Sequence, residues 1–292
     1  MKKLIKRQNK NQNVSYKIEG SRNRHVGSHI ILVIWSLIVI FPIWTMVINS
    51  FKDRLSIYSN PFGLPDKWNF SNFGDVLQSS DFGRYFLNSF MVVGVSLVLI
   101  LLVGSLASYA LAQWKGKWST VLFMFMIAGM MLPIKIASIK LLQMIKTLGL
   151  INSVWSLVPI YVAMGIPISV FILTEFIRQI PYELTEASLV DGASRFKIFV
   201  RIILPLLKPA LSTVAIYNLV PLWNDLWFPL IFINDEKAKT LLLGVTRLFG
   251  QYQTDWSKVL AVLTLSSLPV IVMYIFMSQQ FIKGMTAGAV KG

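Results

Sequence analysis

Few side chains in this sequence could do chemistry by themselves. The 292 residues include no cysteine and two histidines, His25 and His29, which lie just before the first long apolar run. A histidine-based catalytic triad needs a nucleophile, a base and an orienting acid, and a structural metal site needs about four ligands. We therefore predict that the chain is not an enzyme and that it holds no metal and no cofactor.

One acid inside an apolar run is a candidate for ligand chemistry. Asp225 directly follows Trp223 and Asn224, and Asn218 lies earlier in the same run. An ionisable group at membrane depth is by default a functional-site hypothesis, and planar polar side chains beside flat aromatic ones suit a sugar. The predicted substrate path consists of Asn218, Trp223, Asn224 and Asp225. The alternative is that Asn224 and Asp225 cap or cross-link helices near the membrane interface, where tryptophan is a common anchor.

Two lysines offer a second candidate. Lys135 and Lys140 follow Pro133 at the end of another apolar run. They could face a cavity and attract a polar or anionic substrate, or they could extend to the membrane interface, as long basic side chains do. The sequence leaves both possibilities open.

The polar segment at residues 181–205 has the clearest pattern. Pro181 suits the first turn of a helix, where its missing N–H costs nothing, and Gly192 relaxes the backbone for a turn. We therefore predict two short helices with a break at Gly192. Apolar residues then recur at i, i+3, i+4 and i+7, which predicts one apolar face on the second helix. They are Phe196, Phe199, Val200 and Ile203.

The basic residues of that second helix are left for solvent or for a partner; they are Arg195, Lys197 and Arg201. The segment is too polar for the core of a bilayer. An amphipathic helix pair of this kind either lies on the lipid surface or docks into a groove of another protein. The pattern alone does not choose between the two.

The elements that must position these residues are membrane helices. Hydrophobic residues make up 55% of the chain and charged residues 14%, and the mean hydropathy is +0.62. A bilayer crossing needs about 20 mostly apolar residues, and continuous apolar runs exclude the alternating strands of a barrel. We predict an all-α polytopic fold with six transmembrane helices, at about residues 30–48, 87–111, 120–139, 154–174, 211–231 and 259–281.

Charge indicates how these spans are oriented. The net charge is +15, and the basic residues cluster beside the apolar runs, which is typical of orientation signals rather than of nucleic-acid binding. With the N-terminus inside, 17 basic residues lie in cytoplasmic segments and 11 in outer ones, so we expect both termini in the cytoplasm. The predicted organisation is a basic tail at 1–28, a first transmembrane helix at 29–50, an outer loop at 51–86, a core of five spans at 87–283 and a C-terminal tail at 284–292.

The segment at 181–205 resembles the EAA loop of bacterial ABC importer permeases. Glu186-Ala187-Ser188 begins the motif, with serine in place of the second alanine, and Asp191-Gly192-Ala193 matches its extended form. After nine intervening residues, Gly192 is followed by Ile202-Ile203-Leu204-Pro205, as the pattern requires. Other parts of the chain are similar to the carbohydrate-importer branch and its maltose-transporter G-subunit type: Phe41-Pro42, Asn88-Ser89-Phe90, Trp223-Asn224-Asp225 and the ending from Gly284 to Gly292.

This resemblance implies a type I ABC importer permease in the bacterial cytoplasmic membrane. It implies four kinds of partner: a second permease subunit, two ATPase subunits, an extracytoplasmic sugar-binding protein and membrane lipid. The loop would be the coupling helix, with Glu186 as a polar anchor toward the ATPase, Gly192 at the turn, and close packing at Ala187, Ser188 and Ala193. The sequence lacks a G-x-x-x-x-G-K-[ST] phosphate loop, so ATP hydrolysis is expected on the partners.

Three other classes of protein compete with this interpretation. A secondary carrier would need an ion relay or inverted repeats within the membrane, and only Glu175 and Asp225 are candidate acids, without a visible repeat. An intramembrane enzyme would need a nucleophile or a metal constellation, and the spans offer none. An ABC permease for another small solute is the nearest alternative. The sequence does not say which sugar is carried.

Overall fold

The structure of the chain is a computed structural model that describes residues 22–78, 80–114, 116–249 and 254–289. Most of the predicted N-terminal tail and the last three residues of the predicted C-terminal tail lie outside this range. Within it the fold is α-helical, and the only β feature is an isolated bridge between Phe249 and Thr254. The predicted all-α class is confirmed.

Six helices of fourteen residues or more, and one of ten, are separated by shorter ones. In chain order they are α1 Arg22–Asn49, α2 Arg54–Ser59, α3 Ser71–Gln78, α4 Ser80–Gln113, α5 Lys117–Met130, α6 Ser138–Thr147, α7 Leu157–Ile177, α8 Glu183–Val190, α9 Arg195–Ile198, α10 Leu204–Leu206, α11 Lys208–Trp223, α12 Trp227–Phe232, α13 Leu241–Val245 and α14 Trp256–Ala289. Single 3-10 turns lie at Ile134–Ala137, Val154–Ser156, Glu236–Ala238 and Thr246–Leu248.

Four described helices are each long and apolar enough to cross a bilayer: Val26–Asn49, Asp81–Gln113, Val154–Ile177 and Trp256–Phe276. Two bent pairs bring the count to six if each pair is one crossing: Lys117–Met130 with Ile134–Thr147, and Arg195–Leu206 with Lys208–Trp223. The predicted third and fifth runs therefore exist, but neither is one straight helix. The third turns by 80° beside Pro133, whose ring cannot continue a helix. The fifth ends at Trp223, and α12 begins only at Trp227.

The core lies where α4 and α7 pack along each other, with α11 and α14 beside them. Small residues let these backbones approach. Gly104 of α4 faces Ser169 of α7 so closely that a Cβ on Gly104 would lie 2.8 Å from the Ser169 Cβ. Gly165 leaves room for the buried Ile100 side chain in the same way. Close approach through small residues is the usual packing of helices in a membrane, because lipid tails leave no hydrophobic drive between helices.

The first helix is attached to the rest of the chain near one end. Side chains from Val26 to Trp44 are exposed, whereas Ile48 and Asn49 are buried. Beyond α1 the chain folds into a small polar cap, in which the Asn49 amide donates to the Pro61 carbonyl and the Lys52 ammonium donates to the Asn60 carbonyl, at 2.8 and 2.6 Å. Burial lowers the pKa of Lys52.

An ion-pair cluster fastens the loop after α12 to the start of α4. Arg247 lies 2.8 Å from Glu236 and 3.6 Å from Asp81, and the Tyr85 hydroxyl donates to Glu236 at 3.0 Å. Lys239 also contacts Glu236, at 2.6 Å, and its hydrogen bond holds the pKa of that carboxyl below its usual value. This end of the bundle is opposite the end that carries segment 181–205.

Candidate functional site

Segment 181–205, which we call the elbow, consists of two helical parts joined at Gly192. The first part is α8, and Gly192 adopts φ +75°, in the left-handed region that favours glycine. The Ser194 side chain then caps the next helix by accepting from the Lys197 N–H. The predicted pair of helices with a break at Gly192 therefore matches the observed backbone.

The predicted apolar face of the second part is only half right. The structure buries Ile198, Phe199 and Ile203, but Phe196 is 68% exposed and Val200 is 41% exposed. The reason is a π-helical turn at Phe199–Ile203, which interrupts the α-helical repeat. Because this turn bonds residues i and i+5 rather than i and i+4, the buried positions shift and Ile198 replaces Phe196 and Val200. Spacing rules for an α-helix cannot detect such a turn.

The buried face of the elbow packs on the ends of α4 and α7. Ile198, Phe199 and Ile203 form one cluster with Tyr109 and Ile177, and Leu207 closes it. The Tyr109 hydroxyl donates to the Arg195 carbonyl at 3.3 Å, and its ring lies 5.2 Å from that of Phe199. The sequence analysis did not single out Tyr109 as a site residue. The sequence did contain a clue to this residue: Tyr109 lies at the end of an apolar run, and a tyrosine combines an apolar ring with a polar hydroxyl.

The opposite side of the elbow is uncovered. Along α8, Thr185 is the one buried residue, whereas Glu186 and Ala187 are exposed and Ser188 is half-buried, with its hydroxyl donating to the Leu184 carbonyl. Asp191 and Gly192 are also exposed and Ala193 is half-buried. Two apolar side chains add to this surface, Val190 at 87% and Leu189 at 38% exposure. An acid beside exposed apolar groups gives the elbow a surface that another protein could bind.

Asp225 lies in the break between α11 and α12. Its carboxylate accepts from the Tyr161 hydroxyl at 2.9 Å and from the Trp227 backbone N–H at 3.1 Å. The Trp227 indole in turn donates to the Ser138 hydroxyl at 2.9 Å, and the Lys135 ammonium lies 5.4 Å from the centre of the Trp227 ring. These contacts join α6, α7 and the α11–α12 break.

The other residues of the predicted path have different surroundings. The buried Trp223 indole donates to the Ser266 carbonyl at 3.0 Å and its ring meets Phe86 edge-on. Asn218 is buried and its amide donates to the Val214 carbonyl of its own helix. Of the two residues in the alternative of helix caps or cross-links, Asp225 has the contacts of a cross-link, and Asn224 is exposed. The substrate path stays a prediction.

Lys140, the second lysine singled out from the sequence, is exposed and contacts Gln143 at 3.3 Å. It therefore differs from Lys135, which lies against Trp227. Among the described residues no group of three or more His, Cys, Asp or Glu side chains could hold a metal ion.

A double-mutant cycle tests the cross-link between Asp225 and Tyr161. We expect Asp225→Ala and Tyr161→Phe to be strongly non-additive, because either change alone removes the same hydrogen bond. A hydrogen bond to a charged group is worth about 1.5–3 kcal/mol, so the coupling energy from thermal unfolding of the purified protein should fall in that range. Additive effects would contradict the cross-link, and Asp225→Asn, which still accepts, is the matched control.

Together, the bundle of apolar helices, the bent crossings and the exposed elbow define a polytopic transport permease. The chain belongs to the family described as binding-protein-dependent transport system inner membrane component, which matches residues 100–286. The predicted family, the ABC importer permeases, is thereby confirmed.

Relatives agree over nearly the full chain. The ABC transporter permease protein ORF2 of Caldicellulosiruptor sp. (strain Rt8B.4) is 40% identical over 90% of this chain and 96% of its own length. The trehalose/maltose transport system permease protein MalG of Thermococcus litoralis is 30% identical over 89% of this chain and 94% of its own length. The similarity to a G-type permease stated from the sequence motifs is confirmed by this second relative.

A solved structure supports the fold. A chain from the crystal structure of a bacterial ABC transporter involved in the import of alginate superposes with a TM-score of 0.76, at 20% sequence identity. The match covers 92% of this chain and 100% of that one. The protein therefore has the fold of an ABC importer permease. It is a transport subunit that crosses the cytoplasmic membrane several times.

Proposed function

We propose that this chain is the permease subunit of a sugar importer, with an oligosaccharide as the cargo. The MalG relative, named for trehalose and maltose transport, supports the substrate class. The proposed complex contains a second permease subunit, two ATPase subunits and an extracytoplasmic sugar-binding protein. Both termini of the chain lie in the cytoplasm, where the elbow meets an ATPase.

The observation that supports this proposal most is the two-sided elbow. One side packs on Tyr109 and Ile177 at the ends of two long helices, and the other presents Glu186 with the exposed Leu189 and Val190. A helix that presents an apolar and acidic face can dock into a groove of another protein. A movement of that partner would then be passed to the bundle, as coupling to ATP hydrolysis requires.

The proposed contact between this chain and the sugar lies at the α11–α12 break. Asn224 and Trp227 are exposed there, beside Asp225 and Lys135, and they combine a polar edge with an aromatic face. Asn218 and Trp223 would support the site from within, because both are buried and already hydrogen-bonded. Growth of a deletion strain on a panel of di- and oligosaccharides, complemented with the parent or with Asn224→Ala, tests both the sugar class and this contact.

Changing Glu186 tests the docking role of the elbow. Glu186→Ala should lower import at least tenfold, because removing one partner of a buried charged contact costs about 2–5 kcal/mol and 1.4 kcal/mol is tenfold in affinity. Co-purification of the ATPase with the tagged chain tests whether lost docking is the cause of the lower import. ATPase recovery should fall at least twofold, since one of two docking sites is lost, while the second permease subunit stays at the parental level.

Glu175→Gln is the matched control. Glu175 is also an exposed acid near the elbow, but it pairs at 2.7 Å with Arg178, which directly follows the same helix, so this variant should keep both the ATPase and import. Full ATPase recovery and full import with Glu186→Ala would overturn the proposed docking role.

A further inference from the structure

We infer that Tyr109 is the positioning residue through which movement of the elbow reaches α4; the inference rests on the coupling role proposed above. Tyr109, at 9% exposure, is the buried side chain that α4 contributes to the elbow cluster in the described part of the chain, whereas Ala112 of the same helix is only partly buried there. It makes two different contacts with the elbow. The hydroxyl donates to the Arg195 carbonyl, and the ring packs on Phe199.

Both contacts lie on the second helical part of the elbow, through which movement would reach the bundle. Arg195 begins the second helical part, and Phe199 begins the π-helical turn. The first part, α8, carries the exposed face and buries only Thr185 among its eight residues. A displacement applied to α8 therefore enters the bundle mainly through the second part, where Ile198, Phe199 and Ile203 are packed.

Helix α4, which receives the movement, is long enough to transmit it. α4 is one helix of 34 residues, about 51 Å long at 1.5 Å per residue. Its far end holds Tyr85, which contacts Glu236 and Arg247 of the loop beyond α12. A shift at Tyr109 is thus transmitted as a rigid body from the elbow to the opposite end of the bundle.

A rigid connection between the elbow and α4 predicts that the distance between them stays constant. Since the sequence contains no cysteine, two spin labels can be attached at Lys197→Cys on the elbow and Val98→Cys on α4, both exposed. Val98 lies eleven residues before Tyr109, about 16 Å along the helix. In the complete transporter in nanodiscs, we expect the distance between the labels to be the same without nucleotide and with ATP plus vanadate.

Removal of Tyr109 should release this constraint. With Tyr109→Ala the distance distribution should at least double in width or shift when ATP and vanadate are added, while ATPase recovery stays within twofold of the parent. Tyr109→Phe keeps the ring contact and should behave like the parent. Tyr109→Leu fills most of the space without a ring and provides a second, better-folded loss variant should the alanine variant fail to assemble.

The outcomes separate this inference from the proposed function. Two results would overturn the role of Tyr109: a label distance that changes with nucleotide in the parent, or a distance distribution that stays unchanged in both Tyr109→Ala and Tyr109→Leu. Either result would count against Tyr109 even if Glu186→Ala loses the ATPase. If Glu186→Ala keeps the ATPase and import, the docking role itself fails, and this result comes from a different variant and a different measurement.

Discussion

Gly104→Ala is expected to force α4 and α7 apart and to destabilise the protein strongly. The new Cβ would lie 2.8 Å from the Ser169 Cβ, an atom that is fixed to its backbone and cannot rotate away. Both residues are buried, so relief requires movement of a whole helix. Overpacking of this kind costs about 1–3 kcal/mol. Thermal unfolding of the purified protein should show the loss as a clearly lower midpoint.

Two variants show whether contact between these backbones is the cause. Gly94→Ala changes another helical glycine of α4, but nothing lies within 4 Å of the added carbon, so it should be neutral or slightly stabilising. Ser169→Gly removes the opposing Cβ, and the double variant Gly104→Ala with Ser169→Gly should recover most of the stability lost in Gly104→Ala. A double variant no more stable than Gly104→Ala would disprove the proposed cause.

Gly192→Val is expected to lower import by about tenfold or more through backbone strain alone. A left-handed conformation costs an L-residue about 1–2 kcal/mol, and a β-branched side chain is a still poorer fit there. Since nothing lies within 4 Å of a Cβ at Gly192, no steric clash contributes. Relief of the strain would change the orientation of α8. A loss of about 1.4 kcal/mol in the free energy of docking already lowers the affinity tenfold. Import and ATPase co-purification measure the effect.

Asparagine and a second glycine provide the controls. Gly192→Asn should keep most of the activity, because asparagine adopts left-handed conformations more readily than other residues. Gly149, in the loop after α6, has φ +69° and is equally uncrowded. Gly149→Val imposes the same strain outside the elbow and should leave ATPase recovery unchanged. Equal losses of ATPase recovery with Gly149→Val and Gly192→Val would indicate general destabilisation instead.

Much of the helical framework follows from the apolar runs, because partition into lipid depends on composition and length. The continuity of each helix does not follow from composition. The third run is bent beside Pro133 and the fifth is interrupted at Asn224 and Asp225, although both runs are apolar enough to cross. A kink depends on which neighbours satisfy the freed backbone groups, and those neighbours are distant in sequence.

The candidate site shows the same division. Gly192 could be predicted as a turn because the need for a left-handed residue is local, and Asp225 stood out because acids are rare in apolar runs. The partner of Asp225, Tyr161, lies 64 positions away along the chain. The π-helical turn and the burial of Tyr109 likewise depend on tertiary packing. Local rules therefore identify the candidate residues but not the contacts that position them.

The exposed sides of α1 have a consequence for biosynthesis. Because its side chains from Val26 to Trp44 are exposed, this helix depends little on the later parts of its own chain, so it can enter the bilayer as soon as it leaves the ribosome. It would then serve as a tether while the remaining spans are made. The polar cap at Asn49 and Lys52 would be the point where this early helix is finally joined to the finished subunit.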